Sequence, residues 1–93
     1  MAKQKSTDFM ISFVEDYLNG VNSFLDYQLD FHYHLNQHYR KMERENPVLA
    51  DCFYFYMAEM DFDYLDSLTD DEHMAAIKQR FDEFLATING DLL

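Results

Sequence analysis

A chain of 93 residues with a formal net charge of −11 fits one domain, 1–93, with a strong excess of acids. Only 7 Lys and Arg stand against 18 Asp and Glu, so the chain lacks the basic patch expected for direct binding to nucleic acid or to anionic membranes. Disordered acidic chains are poor in aromatic residues, whereas this chain has 9 Phe and 7 Tyr, which excludes disorder for the body of the protein.

The remaining composition indicates a cytoplasmic and largely helical protein. Two Gly and one Pro allow few turns, which disfavours an all-β fold. Cys52 is the one cysteine, so it cannot form an internal disulfide and suits a reducing compartment. No apolar run follows the two N-terminal lysines, so a signal peptide is not expected, and no stretch is long and apolar enough to span a membrane.

An apolar stripe with helical spacing runs from Met10 to Met42 and predicts an amphipathic first helix over about residues 7–45. The pair Asn19-Gly20 is a turn signal that would divide this segment into two helices. Because the stripe keeps its phase across the pair, we expect one continuous helix, bent at most at this point.

Two shorter helices follow in the sequence. Pro47 disfavours helical backbone at the residue before it, so Asn46 ends the first helix and caps the second. Thr69 and Glu72 match a capping box that opens the third helix. The expected helices cover about residues 7–45, 47–67 and 69–89.

These elements predict an all-α fold, a three-helix antiparallel bundle with one long N-terminal helix. The first helix would span about 50 Å and each of the others about 30 Å. One shorter neighbour cannot cover the whole length of the first helix, so its far end needs the third helix or a second chain. An antiparallel homodimer that forms a larger bundle is the expected solution.

The predicted second helix is apolar on two sides. One arc contains Phe53, Met60 and Tyr64 and is expected to pack inside the domain. A second arc includes Phe55 and Leu65, and it needs the third helix, a second copy of the chain or another partner to cover it.

The same helix lies in a run of acids without basic residues. From Glu45 to His73 the chain has nine acids and no Lys or Arg. One interpretation is a solvated acidic face that keeps the protein soluble. A second is a surface that binds a basic protein by charge complementarity, as an inhibitor, an immunity protein or a mimic of nucleic acid would. A third is the binding of a divalent cation, which is disfavoured because the acids lack the Gly-turn spacing of a calcium loop. The candidate partner-binding residues are Phe55, Glu59, Asp61, Phe62, Asp63 and Asp66.

A cluster on the first helix suggests an alternative function, a metal-binding helical bundle. Asp30, His34 and His38 follow one another at four-residue steps, which aligns their side chains on one ridge. Further ligands would have to come from Glu72, His73 or a second chain. The other interpretation is that both histidines flank the apolar stripe and keep their polar tips in water.

No pattern of catalytic residues is present in the sequence. Ser-His-Asp, Cys-His, phosphate-loop and dinucleotide patterns are all missing, and Cys52 lies among apolar residues as a small core side chain would. We therefore expect a protein that is not an enzyme, holds no cofactor and acts by binding a basic protein partner.

Overall fold

The computed structural model describes residues 5–60, 64, 65 and 67–90, and over these residues the chain is helical without strands. The elements in chain order are α1 (Lys5–Leu18), α2 (Phe24–Glu45), α3 (Pro47–Phe53), a π-helical segment (Tyr54–Ala58) and α4 (Asp70–Gly90). The all-α class is thus confirmed, although the described residues form four α-helices where three were expected. Among these residues, no helix has both the length and the apolar character needed to cross a membrane.

The first helix ends in a Schellman motif instead of continuing. The Val21 N–H donates to the Asp16 carbonyl at 2.9 Å, and the Gly20 N–H donates to the Tyr17 carbonyl at 3.0 Å. Gly20 has a φ of +82°, in the left-handed region where a side chain would be strained. The prediction of one continuous helix over 7–45 is therefore wrong, because local turn chemistry outweighs the continued periodicity of the stripe.

A separate cap begins α2. The Ser23 hydroxyl accepts a hydrogen bond from the Asp26 N–H at 3.2 Å, as an N-cap residue does. Val21, whose position matches the spacing of the apolar stripe, is 66% exposed in the connection between the helices. The stripe therefore combines the buried faces of two helices, α1 and α2, whose apolar residues keep the same spacing across the turn between them.

The helices α1 and α2 pack side by side in opposite directions. The rings of Phe9 and His38 lie 4.5 Å apart at one end, and those of Tyr17 and Phe24 lie 6.3 Å apart at the other. Each helix therefore covers the apolar face of the other. The long uncovered helix that motivated a homodimer does not exist.

Aromatic rings from every described α-helix meet in one core. Phe53 of α3 lies 6.1 Å from Phe31 of α2 and 5.5 Å from Phe84 of α4, while Phe13 of α1 lies 5.5 Å from Tyr27. The largest fully buried side chains are Met10, Val14, Tyr27, Phe31, Met42, Phe53, Met57, Ile77 and Phe84. Contiguous burial of this kind holds the helices together.

The first turn of α1 is capped by Glu45, the last residue of α2. The Glu45 carboxylate accepts hydrogen bonds at 2.9 Å from the N–H groups of Ser6 and Thr7, and at 2.8 Å from the Thr7 hydroxyl. A carboxylate here satisfies N–H groups that have no partner within the helix and complements the helix dipole. Burial raises the pKa of Glu45, but these hydrogen bonds outweigh it and leave the pKa below its usual value.

The caps predicted for the two later helices are confirmed. The Asn46 Oδ1 accepts from the Leu49 N–H at 3.1 Å, with Pro47 at the start of α3. The Thr69 N–H donates to the Glu72 carboxylate at 3.0 Å, and the Glu72 N–H donates to the Thr69 hydroxyl at 3.3 Å. The hydrogen bond from the Thr69 N–H, followed by the interaction with the Thr69 hydroxyl, lowers the pKa of the Glu72 carboxyl.

Candidate partner-binding surface

The predicted second helix changes geometry at its middle. After Phe53 the chain enters the π-helical segment, and the Glu59 N–H donates to the Tyr54 carbonyl at 3.1 Å across five residues. A π turn holds more residues than an α turn, and the segment then ends at Ala58, with bends at Glu59 and Met60. The predicted continuous helix over 47–67 is therefore wrong, and faces assigned to it with one helical period do not hold beyond Ala58. Tyr64 is accordingly 60% exposed, although its predicted arc faces inward, whereas Leu65 is 2% exposed.

Arg80 of α4 holds the π-helical segment by its backbone. Its Nη2 donates to the Phe55 carbonyl at 2.9 Å, and its Nε donates to the Tyr56 carbonyl at 3.0 Å. The guanidinium carbon lies 5.5 Å from the centre of the Phe55 ring and 5.0 Å from that of Tyr56. A charged donor thus satisfies carbonyls at the end of the segment while its flat face contacts two rings.

The Tyr56 side chain adds a second tie between the π-helical segment and α4. Its hydroxyl forms a hydrogen bond of 2.9 Å with the Thr87 hydroxyl. Two side chains of α4, seven residues apart, therefore fix the segment along its length. The segment that carries the exposed groups is thus tied to α4 at Phe55 and Tyr56.

Two of the predicted partner-binding residues lie on this segment or directly after it. The Phe55 side chain is 54% exposed, and Glu59, which follows the segment directly, is also exposed. The other four predicted residues lie outside the described part of the chain: Asp61, Phe62, Asp63 and Asp66. Phe55 and Glu59 thus supply an exposed aromatic ring and an exposed carboxylate on neighbouring turns.

An open groove of about 340 Å³ lies beside this segment, against α4. Its walls are both apolar and charged, and it is lined by Met60, Tyr64, Leu65, Ala76, Gln79, Arg80 and Glu83. The ring of Tyr64 stands exposed at this groove. A groove of this composition suits an apolar side chain that has a polar or charged end.

The basic residues near this surface are already engaged. After Arg44 the sequence contains two basic residues, Lys78 and Arg80. Lys78 Nζ pairs with the Asp82 carboxylate at 2.9 Å, and the Arg80 guanidinium binds the two carbonyls described above. Among the described residues, Glu59 forms no ion pair, so its charge is left to solvent or to a partner.

On the other side of the segment, an acid takes part in packing. The Tyr39 hydroxyl donates to Asp51 at 3.2 Å, and the ring of Tyr39 lies 5.3 Å from that of Tyr54. Burial, followed by the hydrogen bond to Asp51, raises the pKa of Tyr39 to about 12. Asp51 therefore belongs to the contact between α2 and α3.

The predicted metal cluster is arranged on α2 mainly by packing. His38 Nδ1 lies 3.1 Å from the Ser6 hydroxyl oxygen, and its ring stacks on Phe9. Burial, followed by neighbouring positive charge, lowers the pKa of His38. The His34 ring meets Phe9 edge-on at 5.1 Å, and Asp30 is exposed. The histidines therefore form part of the contact between α1 and α2.

The additional metal ligands considered from the sequence also have other contacts. His73 is buried, donates from Nε2 to the Leu65 carbonyl and stacks on Phe24 with ring centres 3.6 Å apart. Glu72 is held in the capping box. Within residues 5–60, 64, 65 and 67–90, no group of three or more His, Cys, Asp or Glu is placed to hold a metal ion. The metal-binding hypothesis stays a prediction, which metal analysis of the purified protein tests.

Two functional contacts were missed at the level of sequence, those of Arg80 and Glu45. Arg80 carried one available signal, because it is one of two basic residues in the second half of an acidic chain. The sequence around Glu45 held no such signal, since its hydrogen-bond partners lie 38 and 39 residues away.

Comparison with protein-family models, with curated proteins and with solved structures gave no match.

Proposed function

We propose that this protein is a non-catalytic binding protein that engages a basic region of another protein through the surface around Phe55 and Glu59. The observation that carries the proposal is the exposed Phe55 ring, fixed at its backbone by Arg80, with the unpaired Glu59 close behind it. Exposed aromatic side chains on rigid backbone lose little entropy on binding and serve as anchors of protein interfaces.

The charges around this anchor favour a basic partner. Both basic residues of the second half already have partners within the chain, Lys78 in an exposed ion pair and Arg80 at two carbonyls. The run of acids from Glu45 to His73 includes Asp61, Asp63 and Asp66. Unpaired carboxylates steer a cationic partner into contact and repel anionic ones. An inhibitor, an immunity protein or a mimic of nucleic acid, acting in the cytoplasm, would each use such a surface to occupy the basic site of its target.

The experiment is a capture from the native extract followed by titration of the captured protein. Phe55→Ser and Glu59→Lys should each weaken the complex about tenfold or more, and added salt should weaken the wild-type complex. Val48→Ser is the matched control, because Val48 is also 55% exposed but lies on α3. A partner that binds all three variants and the wild type equally, at low and at high salt, would leave the acidic surface with a role in solubility alone.

The homodimeric assembly is a separate proposal with a separate test. A dimer was expected because one long helix would be left uncovered, and that argument no longer applies because the chain turns at Gly20. An exposed aromatic surface can, however, also be covered by a second copy. Sedimentation of the wild type and of Phe55→Ser at micromolar concentration tests whether this surface binds a second copy of the chain. A dimer that the substitution dissociates would assign this surface to self-association, whereas a monomer in both would remove the dimer.

A further inference from the structure

The outer face of α2 carries a second exposed apolar surface. Leu25, Leu29 and Tyr33 lie on it at four-residue steps and are 63%, 63% and 61% exposed. Val21, one step earlier in the connection before the helix, is 66% exposed. Side chains four residues apart on a helix are neighbours, so Leu25, Leu29 and Tyr33 form one continuous row, termed here the α2 ridge.

The α2 ridge is larger than the scattered apolar residues normal for a protein surface. From Leu25 to Tyr33 it extends about 12 Å along the helix axis. Together its three side chains expose an area on the order of 400 Å², within the range of the largest apolar patch on a typical monomer, which is often functional. This area is below that of a stable permanent interface, so it suits a reversible complex.

Negative charge lies along one flank of the α2 ridge. Asp26 and Asp30 are exposed, and each stands three residues before a ridge residue on the same side of the helix. The described residues pair neither of them with a basic side chain. An occupant of the ridge therefore meets two uncompensated carboxylates beside an apolar row.

This charge pattern decides between two possible occupants. In an antiparallel pair of identical helices, each flank meets the same flank of its copy. Pairing two copies about Leu29 would bring Asp26 and Asp30 against their own counterparts, which is repulsive. A different chain with basic residues at its edge would instead complement both carboxylates.

We propose that the α2 ridge binds an amphipathic helix of another protein that has apolar residues at four-residue spacing and Lys or Arg along its edge. Such a helix would lay its apolar side chains against Leu25, Leu29 and Tyr33 and its cations against Asp26 and Asp30. This site shares no residue with the surface around Phe55 and does not depend on it.

The probe is a synthetic helical peptide of about five turns, with Leu at four-residue steps and Lys along its edge. It is titrated against the full-length protein by fluorescence anisotropy, beside a peptide with Glu in place of Lys and a peptide with the same composition in scrambled order. Only the Lys-edged ordered peptide should bind. Leu29→Ser should weaken its binding about tenfold, because the substitution removes a buried apolar side chain from the complex. Circular dichroism checks that each variant keeps its helical content.

The charge test uses a matched pair of double variants. Asp26→Asn with Asp30→Asn should weaken binding about threefold to tenfold and flatten its dependence on salt. Glu15→Gln with Glu43→Gln removes the same net charge from exposed positions away from the ridge and should have little effect.

Phe55→Ser should also bind the peptide normally, which separates this site from the surface of the proposed function. The inference is overturned if the Glu-edged or scrambled peptide binds equally well, or if Leu29→Ser binds the Lys-edged peptide like the wild type. It is also overturned if sedimentation shows a wild-type dimer that Leu29→Ser dissociates, because a second copy then covers the ridge.

Discussion

Replacement of Arg80 by Met removes the guanidinium that holds the π-helical segment and keeps most of the aliphatic stem. The lost contacts are two hydrogen bonds, of 2.9 and 3.0 Å, to the carbonyls of Phe55 and Tyr56, and the face of the guanidinium over their rings. A hydrogen bond from a charged donor contributes about 1.5–3 kcal/mol when buried, and an exposed cation–π contact about 0.5–1 kcal/mol. Arg80 is only half-buried, so in the variant water can form hydrogen bonds to the two carbonyls and offset part of the lost energy. We expect a net loss of about 2 kcal/mol.

Thermal and urea unfolding followed by circular dichroism measure this loss. For a domain of this size, about 2 kcal/mol corresponds to a fall in Tm of about 10 °C. Amide hydrogen exchange should rise most at residues 55–60, because the segment loses its tie to α4. The matched control is Lys78→Met on the same helix, which removes an exposed ion pair with Asp82 and should cost about 0.5 kcal/mol or less. Equal stability of the Arg80 and Lys78 variants would refute the assigned role of Arg80.

Two further predictions concern the ends of α1. Glu45→Ala should cost about 1 kcal/mol by removing a helix cap. Because the folded-state pKa of Glu45 is lowered, its contribution is complete above the usual value of 4.5 and is lost as the pH falls through the folded-state pKa. The free energy of unfolding, measured in urea at pH values from about 6 to about 3, should therefore fall less with decreasing pH in the variant than in the wild type. Gly20→Ala should cost about 1 kcal/mol because φ at this position is +82°. Gly90→Ala, at a glycine without positive φ or close neighbours, should be nearly neutral in the same unfolding assay, and equal losses at both glycines would contradict the assigned strain.

Local signals predicted where the later helices start, but not where the second one ends: it was expected over 47–67, and the helical segment that begins at Pro47 ends at Ala58. The cap at Asn46 and Pro47 predicted the start of α3 at Pro47. The capping box of Thr69 and Glu72 predicted a helix from residue 69, and α4 begins at Asp70. These caps involve groups within three residues of one another, so the sequence contains both partners side by side. Extended periodicity was less reliable than local turn chemistry at Gly20, since two antiparallel helices present the same repeat as one long helix.

The candidate site could be predicted only in part. The exposure of Phe55 and Glu59 agrees with the expected second apolar arc and acidic stripe. Tyr64, expected inside the domain, is exposed, and Leu65 of the second arc is buried, because the expected helix passes into a π-helical segment and ends at Ala58. A helical wheel assumes a constant period and cannot anticipate such a change.

The sequence by itself determined the all-helical class, the local caps and the excess of acids over bases. Composition and groups a few residues apart are sufficient for these properties, because helix formation and capping act within single turns. The tertiary structure decided that Glu45 caps a helix 38 residues away and that Arg80 ties down carbonyls 24 and 25 residues away. It also decided which apolar faces stay exposed, since burial depends on how helices pack against one another.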